Sequence, residues 1–511
     1  MAYTAMEPVW RKIDAILAGA DAVRAAGKTY LPQYECERHA EYKRRLAAAP
    51  WRNEFEDALR SLSAKPFSQE VTIADGASEP IQQIAEDVDA RGNDLTQFAR
   101  RVFRCAVAKG YHAILVDYPK MQAGMSLAEE RQAGARPYWV HVDADEVIAL
   151  YTAMINGKET VTHVRIRQCT IERAGYSERK VERIREFDRP KLETPAGIEY
   201  APGIWKVWEK QKVEGATDEQ WVLIDEGVIN RGGSTDIPIV IFWAGERYGE
   251  HEVKPPLADL ADMQMELYRA LSRQDEILTY AGSPMLTAEG MGPPEVKRDQ
   301  NGNPIPEQGL RVGPKSILYA EPYSDGKAGK WSYIQPDAAN IREVRDHTKS
   351  VIDDMRRLGM QPMTPGTGDV KATAIAVDAA KAHSALEAWA LGLKDVLEQA
   401  FVYTAEWLDA ETDVEVNMRT DFGLDIGNNG AADWINKAYE SKLLTGITAR
   451  EELRRRNLIE ATEEDEQERQ IEEMQGDPSE EDIAAAMVGA SGQQEGGLQN
   501  DQMTMDGGND A

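Results

Sequence analysis

Apolar residues recur at helical spacing through the first hundred positions. Trp10 to Leu17 is amphipathic, and Asp21 to Ala26 runs into Gly27, a C-terminal stop signal. His39 to Leu62 reads as a second helical stretch, ending near Lys65-Pro66-Phe67. Asp94 to Lys109 is a third, with Leu95, Phe98, Val102 and Ala106 on one face. From Gly110 the period shortens to that of strands. Tyr111–Asp117 and Tyr138–Val142 read as buried strands, and Val161–Cys169, Trp205–Glu209, Trp221–Ile224 and Ile237–Trp243 continue the series. The first half is therefore α+β, with short antiparallel strands joined by turns that carry Gly, Pro or Asn.

The pattern then turns helical again. Pro255-Pro256 opens a helix to Gly282 with Leu260, Leu267, Leu271 and Leu278 on one stripe. Pro284 begins an irregular segment rich in Gly, Pro and Asn, within which Ile317–Ala320 and Trp331–Ile334 read as strands. After Pro336 a second helix runs to Leu358, its seam formed by Ile341, Val344, Thr348, Val351, Met355 and Leu358. At 1.5 Å per residue the two helices span roughly 40 and 34 Å, which describes a stalk with a small domain at its tip. Gly359–Gly368 carries two prolines and too many glycines to be helical. A third, alanine-rich helix runs from Thr373 to near Asp409, with Gly392 as a candidate kink. Val414–Met418 is a brief strand, and helices are expected at Ala431–Lys442 and Ala449–Arg456, the latter opened by the capping box Thr448-Ala-Arg-Glu451.

Charge changes the picture at the C-terminal end. The 511 residues carry 59 Lys+Arg against 88 Asp+Glu, a formal net charge of −29. Residues 460–511 alone hold 16 acids and one base, Arg469. With its Gly and Gln content and few aromatics, the tail beyond Gly476 is expected to be disordered. A chain this acidic does not grip nucleic acid over its general surface, because phosphate binding draws on positive charge. It can still be a wall past which DNA slides.

Candidate chemistry is sparse. Gly27-Lys28-Thr29 looks like the end of a phosphate-binding loop, but the spacing needs glycine at position 22, which is Ala22. Asp143-Ala-Asp145 is a potential divalent-metal pair in a transferase, although aspartates at a strand end commonly make turns. The seven histidines form no i,i+3 or i,i+4 pair, and no GxSxG or HExxH occurs. Cys36, Cys105 and Cys169 are far apart and odd in number, which points to a reducing compartment and to buried spectator thiols. Arg100-Arg101 and Arg454–Arg456 read as solvated faces or subunit ion pairs. No apolar run approaches the roughly 20 residues that span a bilayer, and the N-terminus lacks a secretory core, so a soluble chain, intracellular where it is made, is expected. No enzyme activity, metal or cofactor is expected.

Several segments, in order, resemble tailed-bacteriophage portal proteins. Lys254–Ala261, Tyr268 and Asp275–Pro284 resemble the start of the family's stem helix, and Thr373–Leu386 the long helix after its tunnel loop. Pro137–Val147 and Ile237–Phe242 resemble wing strands, and Gly446–Glu451 the opening of the crown. The resemblance covers about residues 95–470. It implies a wing (1–255, with 412–427 returning to it), stem helices (256–282 and 336–358), a small α/β clip (283–335), a tunnel loop (359–372), a long kinked helix (373–411), a crown (428–475) and a disordered acidic tail (476–511). The stem seam would comprise Leu260, Leu267, Leu271, Leu278, Ile341, Val344, Val351 and Met355. Met360, Gln361, Met363, Thr364, Thr367 and Lys371 would face DNA in the tunnel loop.

The function implied is a homo-oligomeric ring, usually a 12-mer, at one capsid vertex of the virion, assembled in the bacterial host cytoplasm. Its implied partners are the terminase large subunit, a head–tail connector or adaptor, major capsid and scaffold proteins, and double-stranded DNA that passes through without sequence-specific binding. No membrane is involved. Another self-assembling viral scaffold, or a metal-dependent transferase using Asp143 and Asp145, are the alternatives.

Overall fold

The computed structural model describes residues 2–74, 76–120, 134–195, 197–212, 218–281, 285–289, 317–319, 330–334, 338–359, 372–420 and 422. The chain divides into two units, Met1–Leu424 and Asp425–Ala511, and the second lies outside the described residues. The helices expected at 431–442 and 449–456, the crown and the acidic tail therefore lie outside them too. So does the tunnel loop beyond Gly359, apart from Ala372.

The N-terminal region is helical: α1 (Ala2–Ala18), α2 (Ala20–Ala25), α3 (His39–Ala48), α4 (Glu54–Ala64), α5 (Glu79–Glu86) and α6 (Leu95–Lys109). The single helix expected over His39–Leu62 is instead two. Pro50 has no N–H to continue the ladder and its ring clashes with the preceding turn, so α3 stops at Ala48 and Asn53 caps a new helix by accepting from the Glu56 N–H. In α6, Asp94 caps the start and Gly110, at φ 100°, ends it.

Beyond Gly110, strands β2 (Tyr111–Asp117), β3 (Tyr138–Asp143) and β11 (Ile239–Trp243) form a three-stranded antiparallel sheet in the order β11–β2–β3. Strand β2 is buried on both faces because alternate residues serve two cores. Ile114 and Val116 join the larger core with α6, while Tyr111, Ala113 and Leu115 join a second with Met6, Trp10, Val147 and Val164. A five-stranded antiparallel sheet is built from β4 (Val147–Ile155), β5 (Lys158–Ala174), β6 (Ser177–Asp188), β9 (Ile204–Gln211) and β10 (Gln220–Val228), in the order β10–β9–β6–β5–β4. Asn156 and Gly157, both at positive φ, make the two-residue β4–β5 turn. Strands β7 (Lys191–Thr194) and β8 (Gly197–Tyr200) form a separate small hairpin, and β12 (Glu246–Arg247) pairs with β13 (Val253–Lys254) just before the long helices.

Helices α7 (Ala258–Ala281) and α8 (Ala338–Leu358) pack against each other. Ala270 and Arg273 lie beside Val344 and His347, and Leu260 beside Gly359, so the pair runs antiparallel. Between them in sequence are β14 (Met285–Glu289), β15 (Ile317–Tyr319) and β16 (Lys330–Ile334), a sheet with β14 at its centre. Strand β14 occupies part of the stretch that composition marks as irregular. Helix α9 (Ala372–Leu408) continues through Gly392 without interruption, and a Cβ at Gly392 would sit 3.6 Å from the Phe242 ring. The helix is pinned to the sheet where Trp139 Nε1 donates to Thr404 Oγ1 at 2.8 Å and the Trp139 ring meets Phe401 edge-on at 4.7 Å. Strand β1 (Thr72–Ile73) closes the unit by pairing with β17 (Val416–Asn417). Among the described residues no helix is long and apolar enough to cross a membrane.

Candidate functional site

The residues singled out on the two long helices divide by depth. Leu260, Leu267, Val351 and Met355 are buried in the main core, and Leu271, Ile341 and Val344 are half-buried. Leu278, three residues before the end of α7, is 46% exposed, and Leu358 at the end of α8 is 47% exposed. The buried part of the stripe thus packs within the single chain, while both helices also carry uncovered leucines. Thr348, on the same seam, is buried and returns its hydroxyl to the Val344 carbonyl at 2.9 Å. Met360, Gln361, Met363, Thr364, Thr367 and Lys371 lie outside the described residues.

Helix α7 is also fastened to the N-terminal helices by one buried side chain. Gln264 Oε1 accepts from the backbone N–H groups of Glu54 and Phe55 at 3.0 and 3.1 Å, and its Nε2 donates to the Arg52 carbonyl at 2.7 Å. The first-turn amides of α4 are therefore satisfied by a residue of another helix and by Asn53. Between α1 and α7 an open groove of about 910 Å³ carries Arg11, Lys12, Arg269 and Arg273 against Glu7, Asp262 and Glu266. Lys12 pairs with Asp262, and Arg11 with Glu7 at 2.7 Å, so two of the groove's four bases are matched within it.

A second polar centre lies where α6 turns into β2. Gly110 makes that turn so tight that Cys105, one helical turn before its end, faces the start of β2, and register places His112 directly across from Asp143 on β3. Sulfur, imidazole and carboxylate donors of Cys105, His112 and Asp143 lie within 4.8 Å of one another. His112 is fully buried, with its Nδ1 3.1 Å from Asp143 Oδ1 and its Nε2 3.0 Å from His141 Nδ1. His141 stacks on Phe98 with centroids 3.8 Å apart.

Burial holds both imidazoles neutral: His112 is shifted down, and His141, next to His112 and Arg101, is pushed down to about 3. Burial and the Asp143 charge push the Cys105 thiol up to about 12. Asp143 is held below its ordinary range, the His112, Lys109 and Arg101 interactions outweighing burial. A protonated thiol beside a neutral imidazole is not an activated nucleophile.

The Asp143-Ala-Asp145 pair does not converge. Asp145 turns instead to Lys109, whose Nζ lies 2.5 Å from its carboxylate and 2.8 Å from that of Asp14. Burial works against the Lys109 charge, but the two carboxylates overcome it and raise its pKa. Partial burial, reinforced by the neighbouring Asp143 and Asp145 charges, pushes half-buried Glu146 up to about 7. Cys36 and Cys169 are exposed rather than buried, because Cys36 sits in the turn before α3 and Cys169 on a strand face left uncovered. The His112–His141 pair and the Cys105–His112–Asp143 cluster were missed from sequence because their members stand 7 to 38 positions apart. The signal available was the register of two adjacent buried strands.

Residues 256–408 match the family described as "Domain of unknown function (DUF4055)". No curated protein matches the chain. Similar chains occur in solved structures, among them these two. One, in "Neck of empty GTA particle computed with C6 symmetry", is 10% identical with a TM-score of 0.39, over 79% of this chain and 91% of that one. The other, in "Virion of native gene transfer agent (GTA) particle", is 9% identical with a TM-score of 0.38, over 83% and 96%.

Proposed function

We propose that the chain is a portal protein: the subunit of a ring at one capsid vertex through which double-stranded DNA is packaged and ejected. The observation that carries the reading is the order of elements. An α+β region of helices and antiparallel strands leads into an antiparallel helix pair with a small three-stranded sheet between its members, and an alanine-rich helix of 37 residues then returns to the first region. That is the order implied by the portal resemblance in the sequence. On this reading Ala258–Ala281 and Ala338–Leu358 form the stem, the β14–β16 sheet belongs to the clip, and the Gly/Pro segment after Leu358 is the tunnel loop.

Neighbouring subunits would cover apolar residues that one chain leaves in water. Leu278 and Leu358 are two, and edge strand β10 adds Trp221, Ile224 and Val228, which are 42–65% exposed. The net charge of −29 suits a channel that must not bind the duplex tightly. The clip would dock the terminase large subunit and later a connector, with capsid and scaffold proteins around the ring. The role is structural rather than catalytic: the aspartates that a transferase would need together face different groups, Asp143 the buried His112 and Asp145 the Lys109 ammonium.

Negative-stain imaging with a light-scattering mass tests the proposal. Rings with a central hole and a mass of about 683 kDa, twelve times 56.9 kDa, are expected. A chain that stays monomeric across concentration and salt, alone and with scaffold protein, overturns it. Lys371→Ala tests the DNA-facing role of the loop: unchanged packaging and DNA retention would remove that residue from the account.

A further inference from the structure

Among the described residues one group brings soft and borderline donors together in the interior, at the junction of α6, β2 and β3. Cys105 supplies a sulfur from the last turns of α6, His112 a ring nitrogen from the second residue of β2, and Asp143 a carboxylate oxygen from the end of β3. Proximity alone would be ordinary. What sets the group apart is that His112 is completely buried, and that its Nδ1 and Asp143 Oδ1, though 3.1 Å apart, do not meet in hydrogen-bond geometry and have no other partner. Two polar atoms withdrawn from water and facing each other outside hydrogen-bond geometry are costly unless something between them satisfies both.

We propose that Cys105 Sγ, His112 Nδ1 and Asp143 Oδ1 bind one divalent transition-metal ion of the zinc type, with a fourth position left to water. Zinc bonds of about 2.0–2.3 Å in tetrahedral geometry separate donor atoms by roughly 3.3–3.8 Å. The 3.1 Å between nitrogen and oxygen, and the 4.8 Å limit that includes sulfur, are within a small side-chain adjustment of that. A thiolate, an imidazole and one carboxylate favour zinc over the all-oxygen preferences of calcium or magnesium.

The surroundings supply the orienting contact such a ligand needs. His112 Nε2 lies 3.0 Å from His141 Nδ1, and His141 is held by its stack on Phe98. With the His112 proton on Nε2 and donated to His141, the Nδ1 lone pair points to the site. Asp143 keeps 28% of its side chain exposed, which gives the ion and its water a path in. Binding displaces the Cys105 thiol proton to solvent and forms the metal–sulfur bond, with no change of oxidation state. The ion would tie a helix to two strands across the Gly110 turn, a staple rather than a catalytic centre, and it does not depend on the portal reading.

The test uses the full chain, stripped with chelator under a reductant that does not bind metal, then titrated with Zn²⁺ or Co²⁺. One equivalent per chain is expected, with a thiolate-to-cobalt charge-transfer band and a melting temperature that rises with metal. Cys105→Ser, nearly isosteric, loses the band and weakens binding by at least the roughly 10–100-fold that removing a supporting contact costs. The double variant Cys36→Ser/Cys169→Ser leaves Cys105 as the sole thiol and keeps both band and stoichiometry. It discriminates even where Cys105→Ser folds poorly. Absence of stoichiometric binding, a band that survives Cys105→Ser, or a band lost in the double variant overturns the proposal.

Discussion

Replacing Gln264 by Met removes three hydrogen bonds while nearly preserving side-chain length. Gln264 is fully buried, so the N–H groups of Glu54 and Phe55 lose a partner that water cannot readily replace, while the part-buried carbonyl of Arg52 loses one that water can reach. Each stranded buried group costs about 1–3 kcal/mol, and the apolar methionine and a small shift of α4 return part of that. A net loss of about 3–5 kcal/mol follows. By contrast Asn53→Ala, which removes the neighbouring cap on Glu56 N–H, costs about 0.5–2 kcal/mol. Hydrogen exchange read on the segment around residues 52–58 reports the defect locally, which matters in a chain too long for simple two-state melting. A drop of about 3 kcal/mol in opening energy speeds exchange of the Glu54 and Phe55 amides roughly a hundred-fold. If Gln264→Met leaves those amides as protected as in the parent, or costs no more than Asn53→Ala, the claim that α7 caps α4 is wrong.

Gly110→Ala places a side chain at φ 100° and a Cβ 2.7 Å from Val253 Cγ1, so we expect a loss of about 2–4 kcal/mol in a melt. Adding Val253→Ala should relieve the clash but not the backbone strain, and full recovery would refute the strain component. Arg231→Met removes a fully buried guanidinium, leaving Glu406 without its ion pair and the Asp236 carbonyl without the donor now 2.8 Å away. The loss should be about 2–4 kcal/mol, at the lower end of buried-pair values because Glu406 keeps access to water; urea denaturation that finds under 1 kcal/mol would contradict it. Glu37, paired with Arg45 at 2.7 Å, has its pKa lowered chiefly by that hydrogen bond. A lowered folded pKa stabilises fully above the unfolded value near 4.5 and is lost as pH falls through the folded one. Glu37→Gln should therefore cost most at neutral pH and progressively less in acid, and a penalty that grew below pH 4.5 would reverse the sign of the argument.

The elements easiest to read from sequence were those whose pattern is set locally. Tyr111–Asp117 is a strand with the expected ends, and α6 lies between the Asp94 and Gly110 signals. The long helices near 258–281, 338–358 and 372–408 were legible from leucine, valine and alanine spacing. Two kinds of element were not. Strands such as β6, Ser177–Asp188, carry charges on both faces and pair through Arg–Glu contacts such as Arg183–Glu209 at 2.8 Å, so their apolar period is weak. The break at Pro50 was visible as a residue but overridden by the apolar spacing around it. The polar cluster at Cys105, His112 and Asp143 was invisible for a different reason. Its chemistry depends on which residues face each other across β2 and β3, and register is a property of the pairing rather than of either strand.

The pairing of Thr72 with Asn417 has a consequence in time as well as space. On a ribosome the early helices emerge long before their closing partner, which at about 5–20 residues per second is a gap of roughly 17–70 s. Until then Val71 and the apolar face of α5 lack the α9 and β17 residues that cover them. Synthesis thus acts as a checkpoint: a chain terminated before residue 417 leaves α5 and strand β1 without their closing partners.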